Sequence, residues 1–357
     1  MPIFGSRPTN YYTDKMAESP ASCIDLLKKY SLHPPDNADS YTGVEGNAFQ
    51  NVRQLASGMD AGDVKQCSMD RKVAYFGLTK AKARQSSMMA RGQLEGGKVL
   101  YGEARYAQSA GKVPVYWLPW DTAGAVISLQ IPANPAQPND IDPDRFFTAA
   151  INGCSIFFQG TARNPTIFHA GGSTGAQPNA AGGAAFWRGL VQQIIGGQAD
   201  GEVNKTHYIT NDAATKKDPV FGGRVLTTQA AKDYKSWLKN HQKKELEIKN
   251  VDPWGCVMGI RDANRDWAFY LQENATTTFY VLKKKYGLFG KTSRSTEKEK
   301  VWNNAVQGFD NKTDRDGDTV YIDKVRSISR PICLSRVFPN PQQGARINHA
   351  LPTWSLG

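Results

Sequence analysis

The apolar positions of this chain follow two periodicities, and the character changes near Lys98. Residues 1 to about 45 are rich in Pro, Ser, Asp and Asn, and only Ser22–Tyr30, with apolar Cys23, Ile24, Leu26 and Leu27, reads as a helix. The rest of that stretch reads as an extended or partly disordered leader. Gly46–Arg91 reads as helical and polar, with good helix formers over Leu78–Arg91 and a stop at Gly96-Gly97. Beyond it, Val113–Leu118, Ala123–Ile131, Ser155–Phe158 and Thr166–Phe168 read as strands, with Asp144–Ala150 as a short helical turn. Ala184–Ile195 carries Phe186, Leu190, Val191 and Ile194 on one helical face. Thr227–Lys249 places Ala230, Tyr234, Trp237, Leu238 and His241 at helical spacing, with lysines on the other side. A meander follows: Gly255–Arg261, Asp266–Gln272 and Thr277–Leu282, separated by turns at Asp262–Arg265 and Glu273–Thr276. A last strand pair is expected around Thr319–Ile328 and Pro331–Val337.

Strands with helices clustered between them, rather than strict alternation, predict an α+β fold. The expected form is a mainly antiparallel sheet or sandwich flanked by helices, with a helical or partly disordered N-terminal extension. The corresponding division is residues 1–95 as leader and helical region, 96–340 as the catalytic body, and 341–357 as a C-terminal tail.

Composition narrows the chemistry. At 357 residues with 40% hydrophobic positions the chain can bury a large core, and no segment has the apolar length of a membrane span. The N-terminus lacks the apolar core of a secretory signal, so export would use a specialised route. Five scattered cysteines, with no CxxC pair, argue against a zinc ribbon or a disulfide framework, so no metal or other cofactor is expected. The net charge of +11 is spread over clusters at Lys80–Arg84, Lys232–Lys249, Lys283–Lys285 and Lys291–Lys300. It reads first as a solvated basic surface and second as attraction to an acidic partner. No nucleic-acid-binding signature accompanies it. Asp314–Asp318 hints at calcium, but its glycine falls too early for an EF-hand loop. Gly171–Gly175 lacks the lysine of a phosphate-binding loop, and His33, His207 and His349 stand alone as surface residues.

One pair of residues carries chemistry. Cys154 opens Ser-Ile-Phe-Phe-Gln-Gly, His169 closes Pro-Thr-Ile-Phe-His, and the turn-rich Gly160–Pro165 lies between them. A hairpin centred between Thr161 and Ala162 sets Ile156 opposite Ile167, Phe157 opposite Thr166, and Cys154 opposite His169. Directly opposed residues share a face with Cα atoms about 4.5–5.5 Å apart. An imidazole so placed can take the thiol proton and activate the nucleophile. Gly153 allows close backbone approach, and the N–H of Cys154 or Ser155 is a candidate oxyanion donor. The Gly171–Gly183 segment is expected to form part of the site's rim.

The segment Thr148-Ala-Ala-Ile-Asn-Gly-Cys154, followed by His169, resembles the deamidase superfamily of cytotoxic necrotizing factor, Burkholderia lethal factor and the chemoreceptor deamidase CheD. That resemblance covers about 25 residues. It implies hydrolysis of a protein glutamine side chain to glutamate, with Cys154 as nucleophile, His169 as acid and base, and Thr148 helping to orient the ring. In the necrotizing factors an upstream backbone carbonyl also orients the histidine, which here points to Ala123–Ile131. It further implies a protein substrate, such as a host regulatory protein of the small-GTPase kind, and a toxin or effector acting in the host cytosol. A transglutaminase or cysteine protease would use the same dyad. A non-enzymatic binding protein working through the basic surface is the alternative from another class.

Overall fold

A computed structural model describes residues 10–35, 49–55, 64–80, 99–120, 124–135, 137–171, 180–204, 210–211, 224–225, 229–241, 246–284, 312–313, 319–342 and 344–347. The chain begins with α1 (Tyr11–Glu18), α2 (Pro20–Lys29), β1 (Ser31–His33), β2 (Phe49–Leu55), β3 (Val64–Met69) and β4 (Val73–Thr79). It continues through β5 (Val99–Arg105), β6 (Val113–Leu118), β7 (Ala125–Gln130), β8 (Arg145–Thr148), β9 (Ser155–Gly160) and β10 (Pro165–Gly171). Then come α3 (Ala180–Ile195), β11 (Gly201–Val203), β12 (Thr210–Asn211), β13 (Arg224–Val225) and α4 (Gln229–Asn240). The last elements are β14 (Leu246–Arg261), β15 (Trp267–Lys284), β16 (Lys312–Thr313), β17 (Thr319–Phe338) and β18 (Ala345–Arg346).

These strands make a ten-stranded sheet in the order β1-β5-β4-β6-β8-β14-β15-β17-β16, with β18 on β17, and a six-stranded sheet in the order β11-β9-β10-β7-β3-β2. Pairing is antiparallel except for β1–β5, β6–β8 and β3–β7. Period-two alternation sorts each strand's side chains to two faces. Tyr116, Leu118, Phe146, Val257, Trp267 and Phe269 of the large sheet meet Cys67, Ile127, Leu129, Ile156, Phe158 and Ile167 of the small one. The residues between them point outward. Val115, Trp117, Phe147, Met258 and Ile260 take up Met16, Cys23, Leu26 and Leu27 from α1 and α2. Phe157, Phe168 and Ala170 take up Trp187, Leu190 and Val191 from α3. The result is helix on sheet on sheet on helix, an α+β sandwich in which helices back the outer face of each sheet. Beyond the sandwich, Tyr234 and Leu238 of α4 close a smaller core with Leu246, Val251, Ala275, Phe279 and Ile332. No helix among the described residues is long and apolar enough to cross a membrane.

The N-terminal third differs from its reading as leader and polar helix. Residues 49–55 and 64–69 form β2 and β3 of the small sheet, residues 73–79 form β4 of the large one, and β4 pairs with β5 and β6 across the expected boundary at residue 95. The helical reading failed because β2 is an edge strand whose middle residues are exposed, so its polarity hides the alternation. The part of Leu78–Arg91 past Lys80 lies outside the described residues. In the expected leader, Ser19 separates α1 from α2, and its hydroxyl accepts the Ser22 N–H with Pro20 in the first turn. In the expected tail, β18 pairs with Cys333 and Leu334.

Three further local readings change. Asp144–Ala150 contains strand β8 rather than a helical turn. The expected turn at Glu273–Thr276 is the middle of β15, where polar residues are buried in the ladder between β14 and β17. There the Trp254 indole N–H donates to Thr276 Oγ1 at 3.1 Å, and the Thr276 and Ser329 hydroxyls meet at 2.6 Å. The expected last pair is one strand, β17. It passes through Pro331 opposite Asn274, where the ladder slips between Glu273 and Asn274; proline has no N–H to give.

Gln272 fastens α2 and β1 to the large sheet. Its side chain is fully buried; Nε2 donates to the carbonyls of Leu27 at 2.6 Å and Tyr30 at 2.8 Å, and Oε1 accepts the Leu32 N–H at 2.9 Å. One amide thereby satisfies carbonyls at the end of α2 and the Leu32 N–H of β1. Gln272→Leu strands these groups and is expected to lower unfolding stability by about 3 kcal/mol in urea denaturation, with the α2 region losing amide-exchange protection first.

Candidate active site

The candidate site sits where the chain leaves one sheet for the other. After β8, the Ala149 N–H still donates to Leu118 at 3.0 Å, and Ile151 exchanges both backbone hydrogen bonds with Gly255 at 2.8 Å each. A Cβ at Gly255 would stand 3.1 Å from both Ile151 and Leu271, so this approach is tight. Two residues later Gly153 has φ +114°, which L side chains rarely adopt, and the chain enters β9 at Ser155. The Gly-Cys dipeptide therefore has a backbone reason as well as a chemical one.

The hairpin forms, in a register two residues from the expected one. Ile156 faces His169, Phe157 faces Phe168, Phe158 faces Ile167, and Ser155 faces Ala170. The turn is Gly160–Pro165, with Gly160 at φ +96° and the Asn164 N–H on the Thr161 carbonyl; this moves the centre of the hairpin one residue along the chain. A slip of two keeps every side chain on its face. Cys154 and His169 thus both look into the space between the sheets, as diagonal neighbours, with Cα atoms about 7–8 Å apart for such pairs.

The position nearest Cys154 on β10 is Gly171. A Cβ built there would lie 2.5 Å from Cys154 Sγ, 2.9 Å from Cys154 Cβ and 3.1 Å from Trp120 Nε1. The thiol therefore occupies room that only glycine leaves, with the Trp120 indole beside it. Residues 172–179, most of the segment expected at the rim, lie outside the described residues, and 180–183 begin α3.

His169 is 1% exposed, and burial pulls its pKa down to about 3. The Pro119 carbonyl acts the other way, favouring a protonated ring. That contact falls short of a well-formed hydrogen bond, since both ring nitrogens remain without one. The imidazole is neutral at pH 7. The carbonyl acting on it comes from the end of β6, not from Ala123–Ile131, which runs beside His169 as β7.

Thr148 shares the inter-sheet face with Phe146 by strand alternation, but its hydroxyl donates to the Ala149 carbonyl at 2.8 Å, with the Val257 carbonyl a weaker acceptor at 3.4 Å. It does not hold the imidazole. It pairs in register with Leu118, next to Pro119. Ser155 is fully buried with its side chain turned toward α3 and its hydroxyl unpartnered, so only its backbone faces the site's chemistry.

The remaining cysteines are also buried, and none is in a disulfide. Burial pushes the Cys23 thiol up to about 11 and the Cys333 thiol up to about 12, and it raises Cys256 as well. Burial alone therefore does not single out Cys154; the diagonal histidine on the same face and the adjoining glycines do. His33, expected at the surface, is buried against Tyr101 and Trp254, and its pKa falls to about 4. His241 is exposed and stacked on Trp237, as an edge residue of α4. His207, His349 and Asp314–Asp318 lie outside the described residues. Among the described residues no His, Cys, Asp and Glu groups converge as a metal site. No family model and no curated protein matches this chain.

Sequence reading missed Pro119 and Trp120, and it placed Gly171 at the rim rather than against Cys154. The available signals were the Trp-Leu-Pro-Trp run that closes a strand, and a glycine two residues after the histidine, on the same strand face.

Gly171→Ala is expected to push the Cys154 thiol out of place. It should cost about 1–3 kcal/mol in denaturation and change the rate of Cys154 alkylation by iodoacetamide, read by peptide mass. His169 sets a pH dependence. Between about 6.5 and about 3 the unfolded chain binds a proton that the folded ring refuses, so stability falls as pH drops through that window. The slope is about 1.4 kcal/mol per pH unit for one such group. His33 adds the same sign from about 6.5 to about 4. His169→Gln should remove one group's share of the loss between pH 7 and pH 5, and His33→Gln the other's.

Proposed function

We propose that this chain is a cysteine-dependent protein-glutamine deamidase. The observation that carries the reading is the placement of Cys154 and His169 on the same face of one antiparallel strand pair, behind a glycine with positive φ. In the proposed cycle the neutral imidazole of His169 takes the thiol proton, and Cys154 Sγ bonds to the glutamine carboxamide carbon. The carbonyl electron pair moves to oxygen. As the tetrahedral centre collapses, the C–N bond breaks and the imidazolium gives its proton to departing ammonia, leaving a thioester. Water, losing a proton to the same imidazole, attacks the thioester carbon, and the C–S bond breaks to release glutamate and the thiol. Thr148 serves the ring at one remove, by stiffening the strand beside Pro119.

Burial supports a side-chain substrate over an extended backbone. With Cys154 at 4% exposure, a slender carboxamide suits the approach better than a peptide strand, which favours deamidation or transglutamination over proteolysis. The proposed setting is a host protein, such as a small GTPase, modified by a toxin or effector delivered by a specialised secretion route.

The test is to incubate the protein with candidate GTPases, with and without a primary amine, and to weigh the products. A gain of about one mass unit with ammonia release indicates deamidation, amine adducts indicate transfer, and fragments indicate proteolysis. Cys154→Ser and His169→Ala should each lower the rate at least about a thousandfold without altering the circular dichroism. Full activity in Cys154→Ser would overturn the reading.

A further inference from the structure

Resting on Cys154 as the nucleophile, we propose that the indole N–H of Trp120 is an oxyanion donor, receiving the carbonyl oxygen of the group that Cys154 attacks. The geometry comes from Gly171. A carbon placed on it would lie 2.5 Å from Cys154 Sγ, 2.9 Å from Cys154 Cβ and 3.1 Å from Trp120 Nε1. That point is taken up by Gly171's own Cα–H, so no oxygen sits on it, but it shows that Cys154 Sγ and Trp120 Nε1 border the same small volume. An oxygen two bonds from Sγ, on the carbon of a tetrahedral adduct, reaches the edge of that volume and can accept from Nε1 within the roughly 2.7–3.1 Å expected between an oxyanion and its donor.

The two glycines then have complementary tasks. Gly153 lets the backbone turn so that the thiol enters the inter-sheet space, and Gly171 keeps that corner clear of any side chain. The surroundings are apolar, since Trp120 packs against both the inter-sheet core and the core under α1 and α2. An N–H aimed at a developing negative charge there acts at low dielectric, where it is worth most. The donor strengthens its bond as the C=O electron pair moves onto oxygen. It returns to a weaker bond when the carbonyl re-forms and ammonia leaves, so it neither gains nor loses a proton. A backbone N–H at Cys154 or Ser155 would complete the pair of donors.

The experiment uses the full chain and [1-¹³C]butyraldehyde, a straight aldehyde that adds to a thiol to give a thiohemiacetal oxygen in the same place. Wild type should show the adduct by ¹³C NMR, and Cys154→Ser should not. Trp120→Phe, and replacement of Trp120 by benzothienylalanine to keep the bicyclic shape without the N–H, should weaken the adduct about a hundredfold. Alkylation of Cys154 by iodoacetamide, which develops no oxyanion, should stay within about twofold in both. Undiminished aldehyde binding in the benzothienylalanine protein would overturn the role of Trp120 and leave Cys154 as nucleophile. A parallel loss of alkylation would overturn it too, making Trp120 a residue that places the thiol. Absence of both adduct and alkylation in folded wild type would overturn the nucleophile itself.

Discussion

The reciprocal backbone pairing of Ile151 with Gly255 anchors the whole arrangement. It holds the chain to the large sheet three residues before Cys154, while Ser155 is already paired with Ala170 in the small one. A chain pinned on both sides over so few residues has little freedom left, and the positive φ of Gly153 absorbs the change of direction. The thiol is therefore held by two sheets at once. Precision of this kind is cheaper from strands than from a loop, because each strand is already ordered by the ladder and by the core beneath it.

The cores on the outer faces give that junction its stiffness. Both sheets are backed by helices, and two buried polar side chains tie α1 and α2 to the strands through backbone carbonyls. Gln272 joins α2 and β1 to β15, and buried Arg145 reaches from β8 to the Met16 carbonyl of α1 at 3.2 Å. The strand carrying Thr148 is thus tied to the first helix of the chain. The N-terminal segment is a structural partner of the site's own sheet, and the site cannot be separated from it at residue 95.

Fold class and candidate site were legible in the sequence to different depths. The strand Val113–Leu118, apolar along its length because both of its faces are covered, and the helix with Phe186, Leu190, Val191 and Ile194 on one face announced themselves by their apolar residues. β2 and the middle of β15 did not, for opposite reasons: an edge strand exposes polar residues, and this central strand buries them. Local pattern does not distinguish Glu273-Asn-Ala-Thr276 in a turn from the same residues in a ladder; the partner strand decides. The Cys154–His169 pair was visible because hairpin neighbours are close in sequence. Pro119, Trp120 and Gly171 were not, since their nearness depends on how β6, β9 and β10 come together across two sheets. The two-residue error in register left the facing of the pair intact, because strand side chains repeat every two residues.

That repeat governs how this hairpin can vary. A change of two residues in the offset between β9 and β10 leaves the imidazole in the thiol's compartment. A change of one exchanges it for Phe168 or Ala170 and sends the ring to the side packed by α3. The link between the strands is thus a parity element. Homologous hairpins can lengthen or shorten by even steps while keeping the dyad, whereas odd steps need a compensating bulge in one strand.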